Sequence, residues 1–214
     1  MKSNCGDIPV LGLQIPAAKL RRFWMMLAHV HGQSFNASGI GKSLGVADTT
    51  VRRYLDILTG TFMIRRLGPW YENLKKRQVK TPKTYFRDSG LLHHLLGIEN
   101  EAGLMVHPRL GASWEGFALE QIIRLANAAE EEVYFWGVHN QGELDLLLIR
   151  GGRPRGFEIK YTDSPRRSAS QKLAMECLNL DRLDLVIPGT AHYPLDKKIH
   201  VTGLQRLVED GVTA

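Results

Sequence analysis

The chain has 214 residues, with 28 Lys and Arg against 22 Asp and Glu and a formal net charge of +6, enough length for one large or two small domains. Its two cysteines, Cys5 and Cys177, exclude a disulfide framework or a zinc cluster and suit a reducing cytoplasm. No basic-then-apolar leader opens the sequence and no apolar run approaches the roughly 18 residues of a membrane helix, so a cytoplasmic protein without a membrane partner is expected.

Residues 1–100 hold 15 Lys or Arg against 6 Asp or Glu, and residues 101–214 hold 13 against 16. The basic surplus sits in the first half, which suggests two parts with different jobs and a polyanionic partner for the first. Leu20, Phe23, Trp24, Leu27, Ala28 and His31 recur at helical spacing. The stretch "SGIGKSLG" at 38–45 imitates the end of a phosphate-binding loop. The first glycine of that pattern is replaced by Asn36, and a helix rather than a strand leads in, so a nucleotide site is rejected. The longer window predicts a helix over Ala37 to Leu44, with Ile40 and Leu44 inside, and a turn at Gly45. A second helix, "DTTVRRYLDIL", follows, capped by Asp48 with Val51, Leu55 and Leu58 inside.

Two short helices across a glycine turn form a helix-turn-helix. The second places Thr49, Thr50, Arg52, Arg53 and Tyr54 outward, where arginine forks onto guanine edges and Thr hydroxyls reach phosphates. "FMIRRL" and "PKTYFRD" read as strands of a wing whose basic tip holds Lys75, Lys76 and Arg77. Trp70 and Tyr71 stand beside it, with Trp70 better suited to packing than to DNA. Residues 1 to about 100 are thus expected to be a winged helix-turn-helix that binds DNA. "DSGLLHHLLGI" closes this part as a helix capped by Asp88; its His93 and His94 have no third partner at metal-ligand spacing.

From 101 to 214 the pattern turns to α/β. "GASWEGFALEQIIRLANAAEEE" is a helix with an inner face of Trp114, Phe117, Ala118, Ile122 and Leu125. "VYFWGV" is a strand, "GELDLLLIRGGRPRGFEIKY" two strands about a Gly-Gly turn, "SASQKLAMECLNL" a helix and "LDLVIPG" a strand. The order α-β-β-β-α-β predicts a mixed central sheet. A turn centred between Gly151 and Gly152 puts Asp145 opposite Glu158 and Glu143 opposite Lys160. Strict alternation sends these four to one face and Leu144, Leu146, Phe157 and Ile159 to the other. Pro154 argues for a loop wider than two residues with the same centre.

Two carboxylates at opposed positions repel unless a proton, a lysine or a metal intervenes. A divalent cation taking oxygen ligands turns that repulsion into a site. The metal then polarises a phosphoryl oxygen while Lys160 orients or activates a water. The alternative is a surface sheet face on which Lys160 neutralises its neighbours.

Asp145 followed by Glu158-x-Lys160 on adjacent strands resembles the PD-(D/E)xK phosphodiesterases, of restriction endonuclease-like fold, although Leu144 stands where their proline does. The resemblance implies magnesium, or manganese as its substitute, on Asp145 and Glu158. It makes Glu115 of the preceding helix a further metal ligand, with Glu120 the alternative, and Gln171 an assisting polar group. "RRFWMMLAHVHGQ", "VADTTVRRYLDIL", "KTYFRDSGLLHHLLG", "GELDLLL" and "FEIKYTD" are similar to the C-terminal region of a prokaryotic family of AAA+ type ATPases. Its members carry an ATPase domain, then a winged helix, then a nuclease-like domain. The opening "DIPVLGLQIPAAKL" resembles the linker after the ATPase part, so ATP hydrolysis is not expected of this chain. DNA is the expected partner and self-association is left open. A non-catalytic DNA-binding or interaction module and a transcriptional regulator remain alternatives.

Overall fold

Helix α1 (Ala17–His29) begins the computed structural model, which describes residues 16–71 and 78–212. Lys75, Lys76 and Arg77 of the expected wing tip therefore lie outside the described residues. Leu20, Phe23, Leu27 and Ala28 of α1 are buried against α2 (Ala37–Leu44) and α3 (Asp48–Gly60). The Asn36 side chain accepts from the Gly39 N–H and caps α2. Gly45 ends it with φ 66 and ψ 39, a left-handed turn that glycine adopts without strain. Gly41, the glycine of the apparent phosphate motif, serves packing: a Cβ there would stand 2.8 Å from the Val46 carbonyl oxygen.

Two local expectations change. Ala47 is the cap of α3, while Asp48 is its first residue, accepting from the Thr49 N–H at 2.9 Å and lying 3.8 Å from Arg52 Nε. Tyr54 turns inward and packs edge-on against Phe23, so it is core rather than a DNA contact.

Strands β1 (Gln33–Ser34), β2 (Ile64–Leu67) and β3 (Lys83–Phe86) form an antiparallel sheet of order β1-β3-β2. Helix α4 (Ser89–Leu95) follows, with Asp88 accepting from the Leu91 N–H at 2.6 Å, and then α5 (Glu101–Met105).

Helix α6 (Leu110–Leu125) leads into β4 (Val133–Val138), β5 (Gly142–Arg150), β6 (Arg153–Ile159), α7 (Ala169–Cys177) and β7 (Arg182–Ile187). Short β8 (His192–Pro194), β9 (Ile199–Gly203) and α8 (Leu204–Asp210) follow, none of them anticipated. The six-stranded sheet has order β4-β5-β6-β7-β9-β8; β7 lies parallel to β6 and β9, and the other pairs are antiparallel. This is a mixed α/β arrangement.

Gly151 and Gly152 have φ 56 and φ 76, and Arg150 pairs directly with Arg153. The hairpin closes in two residues, the geometry of a type I′ turn, and Pro154 pairs with Ile149 rather than widening it. Leu146 opposite Phe157 agrees with the expected register.

Alternation along β5 breaks once. Against β4, Tyr134 pairs with Leu147 but Trp136 with Leu144, which puts one extra residue into β5 at Asp145 and Leu146. This bulge separates side chains expected together: Leu144 and Leu147 join the core beneath α7, while Leu146 and Leu148 join the core beneath α6.

The two parts meet along α6 and β4. Trp70 N donates to Phe135 O at 2.7 Å, Phe135 N to Gly68 O at 2.9 Å and Val79 N to Gly137 O at 2.9 Å. The β2–β3 connection thus pairs with the free edge of β4, and Trp70 packs edge-on against Tyr134 with centroids 4.9 Å apart.

Helix α6 buries two faces. Ala118, Leu119, Ile122 and Ile123 face the core of the second part, while Ser113, Gly116 and Glu120 are buried as well. Of these, Glu120 forms an ion pair with Arg65 of β2, Ser113 Oγ lies 2.7 Å from His93 Nε2, and Gly116 meets the His31 ring. Phe117, expected inside, is 42% exposed.

Candidate functional site

Glu115 on α6, Glu143 and Asp145 on β5, and Glu158 and Lys160 at the end of β6 gather where β5 and β6 part. The hydrogen-bonded ladder between these strands stops at Leu146–Phe157. Beyond it the Asp145 carboxylate replaces a backbone partner, its Oδ2 accepting from the Ile159 N–H at 2.8 Å. Glu158 is 5% exposed; its Oε1 stands 2.6 Å from Lys160 Nζ, and its buried Oε2 has no hydrogen-bond partner among the described residues.

At the centre of the acids lies a lysine that the sequence pattern does not place there. Lys83 of β3, 4% exposed, forms an ion pair with Glu143 Oε1 and stands 3.6 Å from Glu115 Oε1 and 3.9 Å from Asp145 Oδ1. Two residues on, and so on the same strand face, Tyr85 donates its hydroxyl to Glu115 Oε1 at 2.6 Å. The signal for Lys83 is a single charge among the strand residues "KTYF"; nothing in its spacing names a partner.

The electrostatics follow from burial. Burial and the Glu115 charge push the Asp145 carboxyl up to about 8, against the pull of Lys83. Burial drags the Lys83 ammonium down, but Glu115, Asp145 and Glu143 together outweigh it and push it up to about 12. Lys160 is also raised: burial opposes, and the Glu158 carboxylate prevails. Both lysines are cations at neutral pH. Burial, with Glu115 next, holds the Tyr85 phenol well above its ordinary value.

A magnesium ion fits the donor chemistry, since Glu115, Asp145 and Glu158 offer only oxygen and Glu158 Oε2 is buried without a partner. As the side chains stand, no three His, Cys, Asp or Glu among the described residues are grouped closely enough to hold one.

Other expected site residues are placed elsewhere. Gln171 is spent on the α7 cap: its Oε1 accepts from Ser168 N at 3.0 Å and its own N–H donates to Ser168 Oγ at 3.2 Å. Glu120 belongs to the buried pair with Arg65. Arg52, Arg53 and Thr49 are exposed on α3, and Thr50 is half-buried. In the expected basic wing, Arg65 and Lys83 are buried, Arg66 pairs with Asp56 at 2.6 Å and Arg87 with Glu130 at 2.8 Å. These four basic residues serve internal pairing.

Among the described residues, no helix is long and apolar enough to cross a membrane. No solved structure matches the chain. The uncharacterized proteins Rv2008c of Mycobacterium tuberculosis and Mb2031c of Mycobacterium bovis are each 47% identical to it over 205 residues. The match covers 96% of this chain and 46% of each relative, so the chain spans about half the length of the curated relatives it matches. Residues 6–102 match a domain of unknown function, DUF8612, and residues 110–207 match a second, DUF4143; the junction between them falls just before α6, so each half of the chain is similar to one such domain.

Proposed function

We propose that the chain is a DNA-binding module, a winged helix-turn-helix docked on a restriction endonuclease-like domain, whose acidic cluster is a divalent-cation site for phosphodiester cleavage. One observation carries the reading: Glu115, Asp145, Glu158 and Lys160 come from three separated elements to the point where two strands diverge, with a buried carboxylate oxygen unpartnered there. Structural ion pairs do not need an unsatisfied acid.

Glu115, Asp145 and Glu158 would hold magnesium, or manganese in its place. When bound, the ion polarises a phosphoryl oxygen. The Ile159 N–H fixes Asp145. Lys160, held protonated by Glu158, orients a water and offsets phosphate charge; it does not take the water's proton. Thr49, Thr50, Arg52 and Arg53 bind the duplex, and Lys75, Lys76 and Arg77 extend the contact.

A second reading, a module that holds DNA without cutting it, is favoured by one observation: Lys83 already supplies a positive charge to the acids. Incubating duplex DNA with the protein in magnesium or manganese separates the two. Cleavage that Asp145→Asn abolishes supports the enzyme. Uncut DNA that is nonetheless bound, and released by Arg52→Ala/Arg53→Ala, supports the second reading. DNA neither bound nor cut removes both.

A further inference from the structure

The acidic cluster already contains a cation, and it comes from the other half of the chain. Lys83 Nζ touches three carboxylates from two elements, and Glu115 and Asp145 are two of the three acids that would take a metal. We propose that the Lys83 ammonium and a divalent cation compete for one position among Glu115, Asp145 and Glu158, so that Lys83 keeps the metal site closed until its side chain withdraws. This rests on the metal-site reading above.

Three observations converge on it. Among the described residues the acids are not grouped for a metal as they stand, whereas the Lys83 ammonium is ion-paired with Glu143 and lies 3.6 Å from a Glu115 oxygen and 3.9 Å from an Asp145 oxygen. The Glu158 Oε2 atom is buried without a partner, an oxygen that Lys83 does not serve. The cluster also stays over-supplied with negative charge. Lys83 and Lys160 set two ammonium charges among the four carboxyl groups of Glu115, Glu143, Asp145 and Glu158. An ion of charge +2 balances these acids better than one ammonium does.

Lys83 pairs with Ser34 on one side and Leu67 on the other, so the backbone of β3 is fixed. Its ammonium lies over the Phe135 ring, 5.5 Å from the centroid. Withdrawal is therefore a rotation of the side chain. Glu143 sits at the rim, its side chain 46% exposed. It gives the ammonium a partner to keep while Glu115 and Asp145 are released.

Manganese binding to the full chain, followed by calorimetry for wild type and Lys83→Met, tests the competition. Lys83→Met is expected to bind manganese at least about tenfold more tightly, the smallest effect of removing a unit charge at this distance from a cation site. Equal or weaker binding by the variant overturns the inference and leaves the metal site standing. Manganese bound by neither protein overturns both. If Lys83→Met does not fold, the wild-type chain decides. Saturating manganese is expected to raise acetylation of Lys83, read by mass spectrometry, severalfold above that in chelator. Unchanged labelling with manganese bound overturns the proposal.

Discussion

Gly116 of α6 lies against the His31 ring of the first half of the chain, and adding one methyl group there tests how the two halves are held. A Cβ at position 116 would stand 2.7 Å from His31 Cε1, closer still to His31 Nε2, and 3.3 Å from Tyr85 Cδ1. The His31 ring cannot step aside cheaply. It is 2% exposed, it accepts from the Phe86 N–H at 3.0 Å, and it packs edge-on against Tyr85. Overpacking of this kind costs about 1–3 kcal/mol, while alanine in a helix gains up to about 1 kcal/mol over glycine. Gly111, on the same helix, has nothing within 4 Å of a methyl group added to it, so it isolates that gain. Gly116→Ala should therefore be less stable than Gly111→Ala by about 1–3 kcal/mol in urea titrations with equal slopes. The displaced helix also carries Glu115 away from Tyr85 and Lys83. A Gly116→Ala protein as stable as Gly111→Ala would refute the packing of α6 on His31 and, with it, the fixed placement of Glu115.

Glu120→Ala leaves Arg65 charged and buried; it should destabilise by about 3–5 kcal/mol, and replacing both by apolar residues should recover most of that loss, by denaturant titration. Burial, then Arg109, lowers the pKa of His31 from 6.5 to about 3. The folded state thus binds fewer protons than the unfolded state between those values. The His31 contribution is complete above pH 6.5 and lost as pH falls towards 3, with a slope near 1.4 kcal/mol per unit. His31→Gln should flatten the dependence of stability on pH in that window; an unchanged slope would place the acid sensitivity elsewhere. Arg52→Ala/Arg53→Ala should weaken duplex binding and reduce the log–log salt slope by about 1 for each phosphate no longer neutralised. Unchanged affinity and slope would move the DNA surface off α3.

Much of the fold was legible because its signals are local. Asp88 caps its helix, Gly45 turns left-handed, and the paired glycines at 151–152 set a register that fixes β5 against β6. The bulge at Asp145 and Leu146 was not legible, because a run of apolar residues hides a one-residue shift: "LDLLL" reads as alternation until Trp136 pairs with Leu144. Helix α6 misled for a related reason. A period analysis seeks one apolar face, but this helix buries a second that is made of Ser113, Gly116 and Glu120, residues that look like a solvent face until another part of the chain covers them.

The site divides along the same line. Asp145, Glu158 and Lys160 were visible because a hairpin converts sequence separation into distance. Lys83 was not, because its partners lie 32 to 62 residues further on, beyond any local period. Its burial has a physical signature all the same. A lysine in a strand must find anions when that strand is covered, and the acids that Lys83 meets lie in the second half. The basic surplus of residues 1–100 thus includes two populations. Arg65, Lys83 and Arg87 point at Glu120, the acid cluster and Glu130 across the seam, while Arg52 and Arg53 on α3 are exposed to an outside partner. Reversing the charge of one population should unseat the halves, and reversing that of the other should leave folding intact. Lys83→Glu is expected to lower the unfolding midpoint sharply, and Arg53→Glu to change stability by less than about 0.5 kcal/mol. Equal losses from the two would mean that α3 too is spent on holding the molecule together.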